Sequence, residues 1–360
     1  MQSLSPTDSL IGLGLTVPML QQLTQRERYA GEAVMRVTEV QRDAVCLHDG
    51  VREVLARVPP ALVERLTNDN LAVGDWVLAD EPATGQWRVR ERITPLTQIA
   101  RRTNDGRGAA RRQVLVANVD TCLLVMGLDH DFNLRRLERY LALARLAGVT
   151  AVVVLTKADA VDEATLARRS EQAREAIGTA VALLALDARE GVAAQLLQPW
   201  LGRGQTLVLL GSSGAGKSTL TNTLCGDEQQ RTGASRADDG RGRHTTTART
   251  LRRTLAGACV IDTPGLRALR LDADDADVLN VAFDDVATAA LRCRFRNCRH
   301  REEPGCAVRE SLPAERVRNF HKLQREARRD AMNALEQREQ RREWKLRVQE
   351  GTMRSRAKRG

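Results

Sequence analysis

Apolar residues in the middle of the chain gather into short unbroken runs, the pattern of parallel strands buried on both faces. These runs are Thr121 to Gly127, Ala151 to Leu155, Thr206 to Leu210 and Gly257 to Ile261, with a weaker one over Ala180 to Leu184. Between the first two, Leu134 to Ala147 has amphipathic helical spacing, and Ser218 to Cys225 continues the third run with helical spacing. Strands alternating with helices predict an α/β layer around a parallel sheet. Residues 33–98 differ. Short β-like stretches (Ala33 to Val40, Ala44 to Leu47, Glu53 to Val58, Asp75 to Ala79, Trp87 to Glu91) alternate there with turn signals such as Asp49-Gly50 and Gly74-Asp75. Five such strands fit a small barrel of the OB type, and an SH3-like barrel nearly as well. From Pro313 to about Glu350 the composition predicts a helix with mixed charges.

The strand ends carry the chemistry. After Thr206 to Leu210 comes Gly211-Ser212-Ser213-Gly214-Ala215-Gly216-Lys217-Ser218, then Thr219, which fits the phosphate loop G-x-x-x-x-G-K-[ST]. Its glycines let successive backbone N–H groups and a helix N-terminus face phosphate oxygens. Lys217 is placed to reach the β- and γ-phosphates, and Ser218 to ligate Mg2+. After Gly257 to Ile261 comes Asp262-Thr263-Pro264-Gly265, a D-x-x-G in which Asp262 would hold Mg2+ through water and the Gly265 N–H would sense the γ-phosphate. After Ala151 to Leu155 comes Thr156-Lys157-Ala158-Asp159, of the guanine-reading form [NT]-K-x-D. The Asp159 carboxylate can accept both the N1 and N2 donors of guanine; adenine has no such pair, so it would leave the carboxylate unsatisfied. The guanine motif precedes the phosphate loop, the reverse of ordinary GTPases. Ligands of open α/β sheets gather at the carboxyl ends of strands wherever the chain begins, so a circular permutation preserves the site.

A different chemistry follows. Cys293, Cys298, His300 and Cys306 form C-x4-C-x-H-x5-C, the ligand set of a closed tetrahedral structural Zn2+ site. Cys122, Cys225 and Cys259 lie on or near apolar runs and read as small core residues, and no disulfide framework is implied.

Charge adds a partner class. The 360 residues carry a net charge of +10, and residues 321–360 hold thirteen Lys or Arg against six Asp or Glu. Arg101, Arg102, Arg107, Arg111 and Arg112 make a second basic cluster. A solvated charged helix is one meaning of the tail; neutralisation of RNA phosphates is the favoured one. With two Tyr and four Phe there are few stacking platforms, so the expected contact is to backbone and shape. No apolar run approaches the length of a membrane span, and Leu10 to Leu20 lacks the flanks of a signal peptide. With unpaired cysteines, this leads to the expectation of a cytoplasmic protein without membrane contact. Nothing in the sequence indicates oligomerisation, and a monomer is expected.

Gly240-Arg-Gly-Arg-His-Thr-Thr-Thr247, Asp262-Thr-Pro-Gly-Leu266, T-K-A-D ahead of G-S-S-G-A-G-K-S, and the segment from Cys293 to Cys306 together resemble the ribosome small subunit-dependent GTPase A family (RsgA/YjeQ) from about residue 30 to about residue 330. The resemblance implies a multidomain α/β protein: an N-terminal OB-fold barrel, a central circularly permuted P-loop GTPase domain and a C-terminal zinc-binding domain with helices. The corresponding boundaries here are an extension at 1–30, the barrel at 31–98, a basic linker at 99–112, the GTPase domain at 113–272, the zinc domain at 273–330 and a basic helical tail at 331–360. The resemblance also implies a late assembly factor of the small (30S) ribosomal subunit, contacting 16S rRNA, whose hydrolysis of GTP to GDP the subunit stimulates.

Within that frame residues 240–247 are switch I, and one of Thr245, Thr246 or Thr247 would coordinate Mg2+ and the γ-phosphate. Leu266 occupies the place where many GTPases carry a water-orienting glutamine, and an aliphatic side chain cannot orient water. His244 is the candidate for that role by its place in the family motif; a histidine contacting only RNA or protein is the alternative. The base loop should lie near Ala185-Leu186-Asp187-Ala188, yet it carries no Ser-Ala pair. Two other readings stay open: an rRNA-binding scaffold with a structural nucleotide site, and a P-loop ATPase in which T-K-A-D is accidental.

Overall fold

The structure, a computed structural model, describes residues 6–26, 29, 31–66, 69–82, 85–104, 110–226, 249–263 and 283–331. Its contacts divide into two units, one within residues 1–100 and 114–269 and the other within 101–113 and 270–360.

In the first unit five strands close a barrel: β1 (Ala33–Val40), β2 (Ala44–His48), β3 (Glu53–Arg57), β4 (Trp76–Asp80) and β5 (Arg88–Arg92). The pairing order β1-β2-β3-β5-β4 returns to β1, with a short helix (Pro60–Arg65) between β3 and β4. This closed five-stranded arrangement is that of the OB-fold and not of an SH3-like barrel. Alternate residues of the strands, among them Met35, Val37, Val45, Leu47, Val77 and Val89, fill its interior. The turn at Gly74 needs glycine: its φ is +94°, and a Cβ would meet the Ala117 carbonyl oxygen at 2.1 Å.

Beyond the barrel, the strands expected from the apolar runs are β8 (Thr121–Gly127), β9 (Thr150–Thr156), β10 (Ala182–Ala185), β11 (Thr206–Leu210) and β13 (Cys259–Asp262). They lie in the order β10-β9-β8-β11-β13, all parallel. Every residue of β8 and β11 is buried, which is why their sequences are unbroken apolar runs. A short strand that the apolar pattern does not reveal, β12 (Thr250–Arg253), runs antiparallel to β13 and pairs at Thr250 with Glu39 of β1. The parallel sheet and the barrel are thus one continuous hydrogen-bonded surface. Helices Leu134–Leu146 and Glu163–Ile177 connect β8 to β9 and β9 to β10, each capped by a side chain: Asn133 accepts from the Arg136 N–H and Asp162 from the Thr165 N–H.

Arg36 of β1 is fully buried at the junction. It donates to Thr206 Oγ1 (2.9 Å), Asn118 O (2.9 Å), Gly74 O (3.3 Å) and Leu13 O, with its guanidinium 5.5 Å from the Trp76 ring centroid. A buried cation satisfied by that many fixed acceptors ties the N-terminal segment, the barrel and the first residue of β11 together. The segment read from sequence as a basic linker contains paired strand, β6 (Gln98–Asn104) with β7 (Ala110–Ala117).

In the second unit a short helix (Asp284–Ala290), the Cys/His segment, a helical turn (Ala307–Ser311) and an 18-residue helix (Ala314–Ala331) follow one another. Phe283 and Phe320 meet edge to face at 5.5 Å. Arg316 lies 4.2 Å from the Phe283 ring centroid and pairs with Asp285 at 2.9 Å. No helix among the described residues is long and apolar enough to cross a membrane.

Candidate functional site

Because β9, β11 and β13 are parallel, T-K-A-D, the glycine-rich loop and Asp262 all leave the sheet from the same edge. The loop Gly211–Gly216 is shaped by close approach. A Cβ on Gly211 would meet Val125 O at 2.4 Å, and one on Gly216 (φ +89°) would meet Thr156 Oγ1 at 3.3 Å. Ala215 between them is fully buried in the sheet's core, so the loop is anchored from beneath. Ser213, Gly214 and Ser218 are exposed, while Ser212 and Thr219 are half-buried.

Thr156 is completely buried, and its Oγ1 donates to Ala215 O at 2.7 Å. The first residue of the guanine motif is therefore fastened to the phosphate loop 59 positions later in the chain. Lys157 adopts a left-handed backbone (φ +60°) and pairs through Nζ with Asp129 Oδ2 at 2.7 Å. Asp159 is exposed and accepts from Arg189 Nη2 at 2.5 Å. Lys217 is 9% exposed, and its Nζ donates to Gly211 O (2.9 Å) and Ser212 O (2.7 Å), arched over the loop it belongs to. Asp262 is partly buried, and burial pushes its carboxyl above the ordinary carboxylate value against the pull of Lys217 and Arg252. Ser218 and Asp262 offer hydroxyl and carboxylate oxygens, the hard donor set that suits Mg2+. Gly265, Leu266, His244, Thr245, Thr246 and Thr247 lie outside the described residues.

In the second unit the ligand atoms of Cys293, Cys298, His300 and Cys306 all lie within 4.8 Å of one another. His300 Nδ1 stands 3.6 Å from Cys293 Sγ and 3.5 Å from Cys306 Sγ. Tetrahedral Zn2+ with ordinary Zn–S and Zn–N lengths places sulfur and nitrogen about 3.6 Å apart. The cluster has the dimensions of a metal site, with His300 Nδ1 the ring nitrogen that faces the sulfurs. Burial pushes the Cys293 thiol up, but the backbone N–H groups of Val308 and Ala307 outweigh it and hold this thiol below its usual value. Cys298 is pushed up to about 11 by burial and by its two neighbouring thiols, a proton that a bound cation would expel.

Comparison with known proteins places this arrangement. Residues 93–272 match the RsgA GTPase family. The curated protein "Small ribosomal subunit biogenesis GTPase RsgA" of Xanthomonas oryzae pv. oryzae is 47% identical over 266 residues, covering 71% of this chain and 69% of the relative. The protein of the same description from Xanthomonas axonopodis pv. citri is 46% identical over 269 residues, covering 72% and 70%. The chain belongs to the RsgA GTPase family. The crystal structure of YjeQ from Thermotoga maritima superposes with a TM-score of 0.60 at 23% identity, covering 82% of this chain and 98% of that one. YloQ, described as a circularly permuted GTPase, superposes at 0.58 with 19% identity, covering 84% and 98%. Both share the fold.

Sequence reasoning did not single out several residues that support these sites in this RsgA-family chain. Asp131 accepts from Ser212 Oγ (2.5 Å), the Gly127 N–H (3.2 Å) and Arg136 Nη2 (2.6 Å), fixing the phosphate loop from the end of β8. Asp129 does the same for Lys157. An acidic pair directly after a buried strand was the available signal. The segment after β10, Asp187-Ala188-Arg189, overlapping the region expected to be the base loop, is held against its neighbours by Leu186 N–H to Leu155 O (2.9 Å) and by Thr223 Oγ1 to Ala188 O (2.7 Å). In the second unit, His321 contacts the backbone of the candidate ligand His300: its Nε2 lies 3.0 Å from His300 O. A carbonyl only accepts, so that nitrogen carries the proton.

Proposed function

We propose that this protein binds GTP and hydrolyses it to GDP and phosphate on the small (30S) ribosomal subunit during the subunit's late maturation. The observation that carries the reading is the Thr156 Oγ1 to Ala215 O bond of 2.7 Å, which joins a guanine motif and a phosphate loop in one site despite their inverted order. In this reading Asp159 accepts N1–H and N2–H of guanine, and Lys157, held by Asp129, flanks the base-reading carboxylate in the motif. Backbone N–H groups of Gly211, Ser212, Ser213, Gly214, Ala215, Gly216 and Thr219 surround the phosphates. Lys217 leaves its loop carbonyls for the β- and γ-phosphates. Ser218, Asp262 and one of Thr245, Thr246 or Thr247 would hold Mg2+, which neutralises charge on the phosphate oxygens. The Gly265 N–H reads the γ-phosphate, and His244 orients the water that attacks phosphorus as the bond to the β-phosphate oxygen breaks.

Cys293, Cys298, His300 and Cys306 would hold one structural Zn2+, with no position left for substrate. The domain boundaries read from sequence serve this scheme: barrel 31–98, arginine-rich segment 99–112, GTPase domain 113–272, zinc domain 273–330 and basic tail 331–360. The arginine-rich segment and the C-terminal helix neutralise phosphates of 16S rRNA. The protein works as a cytoplasmic monomer without membrane contact. The relatives' description as small ribosomal subunit biogenesis GTPases supports the choice of partner.

The test is GTP turnover by the full chain with and without purified 30S subunits. A rate raised by 30S supports the proposal. An unchanged rate leaves an rRNA-binding scaffold, and equal affinity for GTP and ATP leaves a P-loop ATPase.

A further inference from the structure

The edge of guanine that an aspartate reads, N1–C2–N2, is itself a guanidine: N–H groups side by side on one carbon. Arg189 brings the same pattern to the same carboxylate. Its Nη2 donates to Asp159 Oδ2 at 2.5 Å and to Asp187 Oδ2 at 2.8 Å. Its Nε donates to both Asp187 oxygens at 3.1 Å, and its backbone N–H donates to Asp187 Oδ1 at 2.9 Å. Asp187 therefore grips Arg189 at two points and aims the end of the guanidinium at Asp159. The sequence places this pair in the base loop, where the expected Ser-Ala pair is missing.

We infer that Arg189 is an internal competitor for guanine, a specificity-determining residue that the base must displace from Asp159 in order to bind. The inference rests on the reading of Asp159 as the guanine acceptor. The guanidinium and the base edge draw on one carboxylate, so each binding event exchanges an ion pair for the paired hydrogen bonds of the base. Each departure of the base returns Asp159 to a partner already positioned beside it. Such an exchange lowers affinity for guanine nucleotides and speeds their release, and the pair that does so is screened by salt. Its size is that of an exposed ion pair, since the Arg189 side chain is 66% exposed and that of Asp159 42%. For the same reason, replacing Arg189 removes nothing from the core.

The experiment measures affinity and release of fluorescent mant-GDP, with mant-ADP as the control, for the full chain and its R189A, R189K, D159N and D159N/R189A variants. R189A is expected to bind mant-GDP about two- to fivefold more tightly, mainly through slower release, with the gain shrinking as salt rises. R189K, which keeps the charge without the paired N–H groups, should fall between R189A and wild type. In the D159N background the R189A change should have no effect. An R189A protein that binds mant-GDP no better than wild type, while D159N loses its preference for guanine, would overturn the competitor role and leave the reading of Asp159 intact. A D159N protein with full guanine preference would overturn both.

Discussion

The loop that leaves β11 at Gly211 starts from a strand whose five residues are all buried and rests on Ala215 inside the core. The Cys/His segment, residues 293–306, contains no strand. Of its four candidate ligands only Cys306 is buried, and what converges there is the ligand atoms themselves. The first site is shaped by main-chain close approach and by carbonyls that hold Thr156 and Lys217, so its form is set before any ligand arrives. The second is a surface loop whose own apolar content is too small to fold it, so a bound cation would supply the missing free energy. Stability and ligand binding should therefore separate cleanly between the two regions.

The widest separation is expected on metal removal. A strong chelator should abolish the order of residues 293–331, read as loss of helical circular dichroism and of amide protection there, since structural Zn2+ sites contribute about 10 kcal/mol to folding. Protection of β8, β9 and β11 should not change. Next in size is Lys217→Ala. It should lower kcat for GTP about 10²- to 10³-fold while the thermal midpoint of the Cys/His segment stays put. His321→Ala comes third. The imidazole steadies the His300 carbonyl at 3.0 Å, and His300 has a left-handed backbone (φ +58°) that a non-glycine residue needs support to keep. Its loss should weaken metal binding about tenfold, by competition with a calibrated zinc chelator, without changing GTP affinity.

A separate effect concerns pH and the barrel. Burial pushes the Asp75 carboxyl up to about 6 from 3.8, against the pull of Arg92 and of the Ala72 amide. Between these values the folded protein keeps a proton that the unfolded chain has lost. This contribution to stability is complete below the lower value and gone above the higher one. Denaturant unfolding of the first unit should show wild type losing stability across that window by about one proton's slope relative to Asp75→Asn.

Much of the fold was legible because parallel strands buried on both faces write themselves as continuous apolar runs. Thr206 to Leu210 was read with its observed bounds, and Leu134 to Ala147 within one residue of them. The five barrel strands were legible through the turns between them. The paired strands β6 and β7 were not, because a ribbon rich in arginine shows no alternation and has the composition of a linker. Strand β12 is four residues long and carries too few positions to establish a period.

In the nucleotide site, motif residues are recognisable because their chemistry demands a fixed spacing. Their supports are not, since Asp131 reaches Ser212 across 81 residues and Arg189 reaches Asp159 across 30. Such contacts depend on the sheet order and on long side chains, neither of which leaves a local pattern. His321 was hidden for the same reason, since the turn of the helix carrying it decides which of its residues faces His300.

The most direct test of the separation between the two regions is single-turnover GTP hydrolysis, with and without 30S subunits, in Zn2+-loaded protein and in protein stripped of Zn2+ alone, both assayed with Mg2+ present. An unchanged basal rate after Zn2+ removal and loss of the 30S stimulation are expected, because the nucleotide site stands on its own sheet while the Cys/His segment precedes the helix proposed to meet 16S rRNA. A basal rate that collapses when Zn2+ alone is removed, or a stimulation that survives its removal, would contradict the separation.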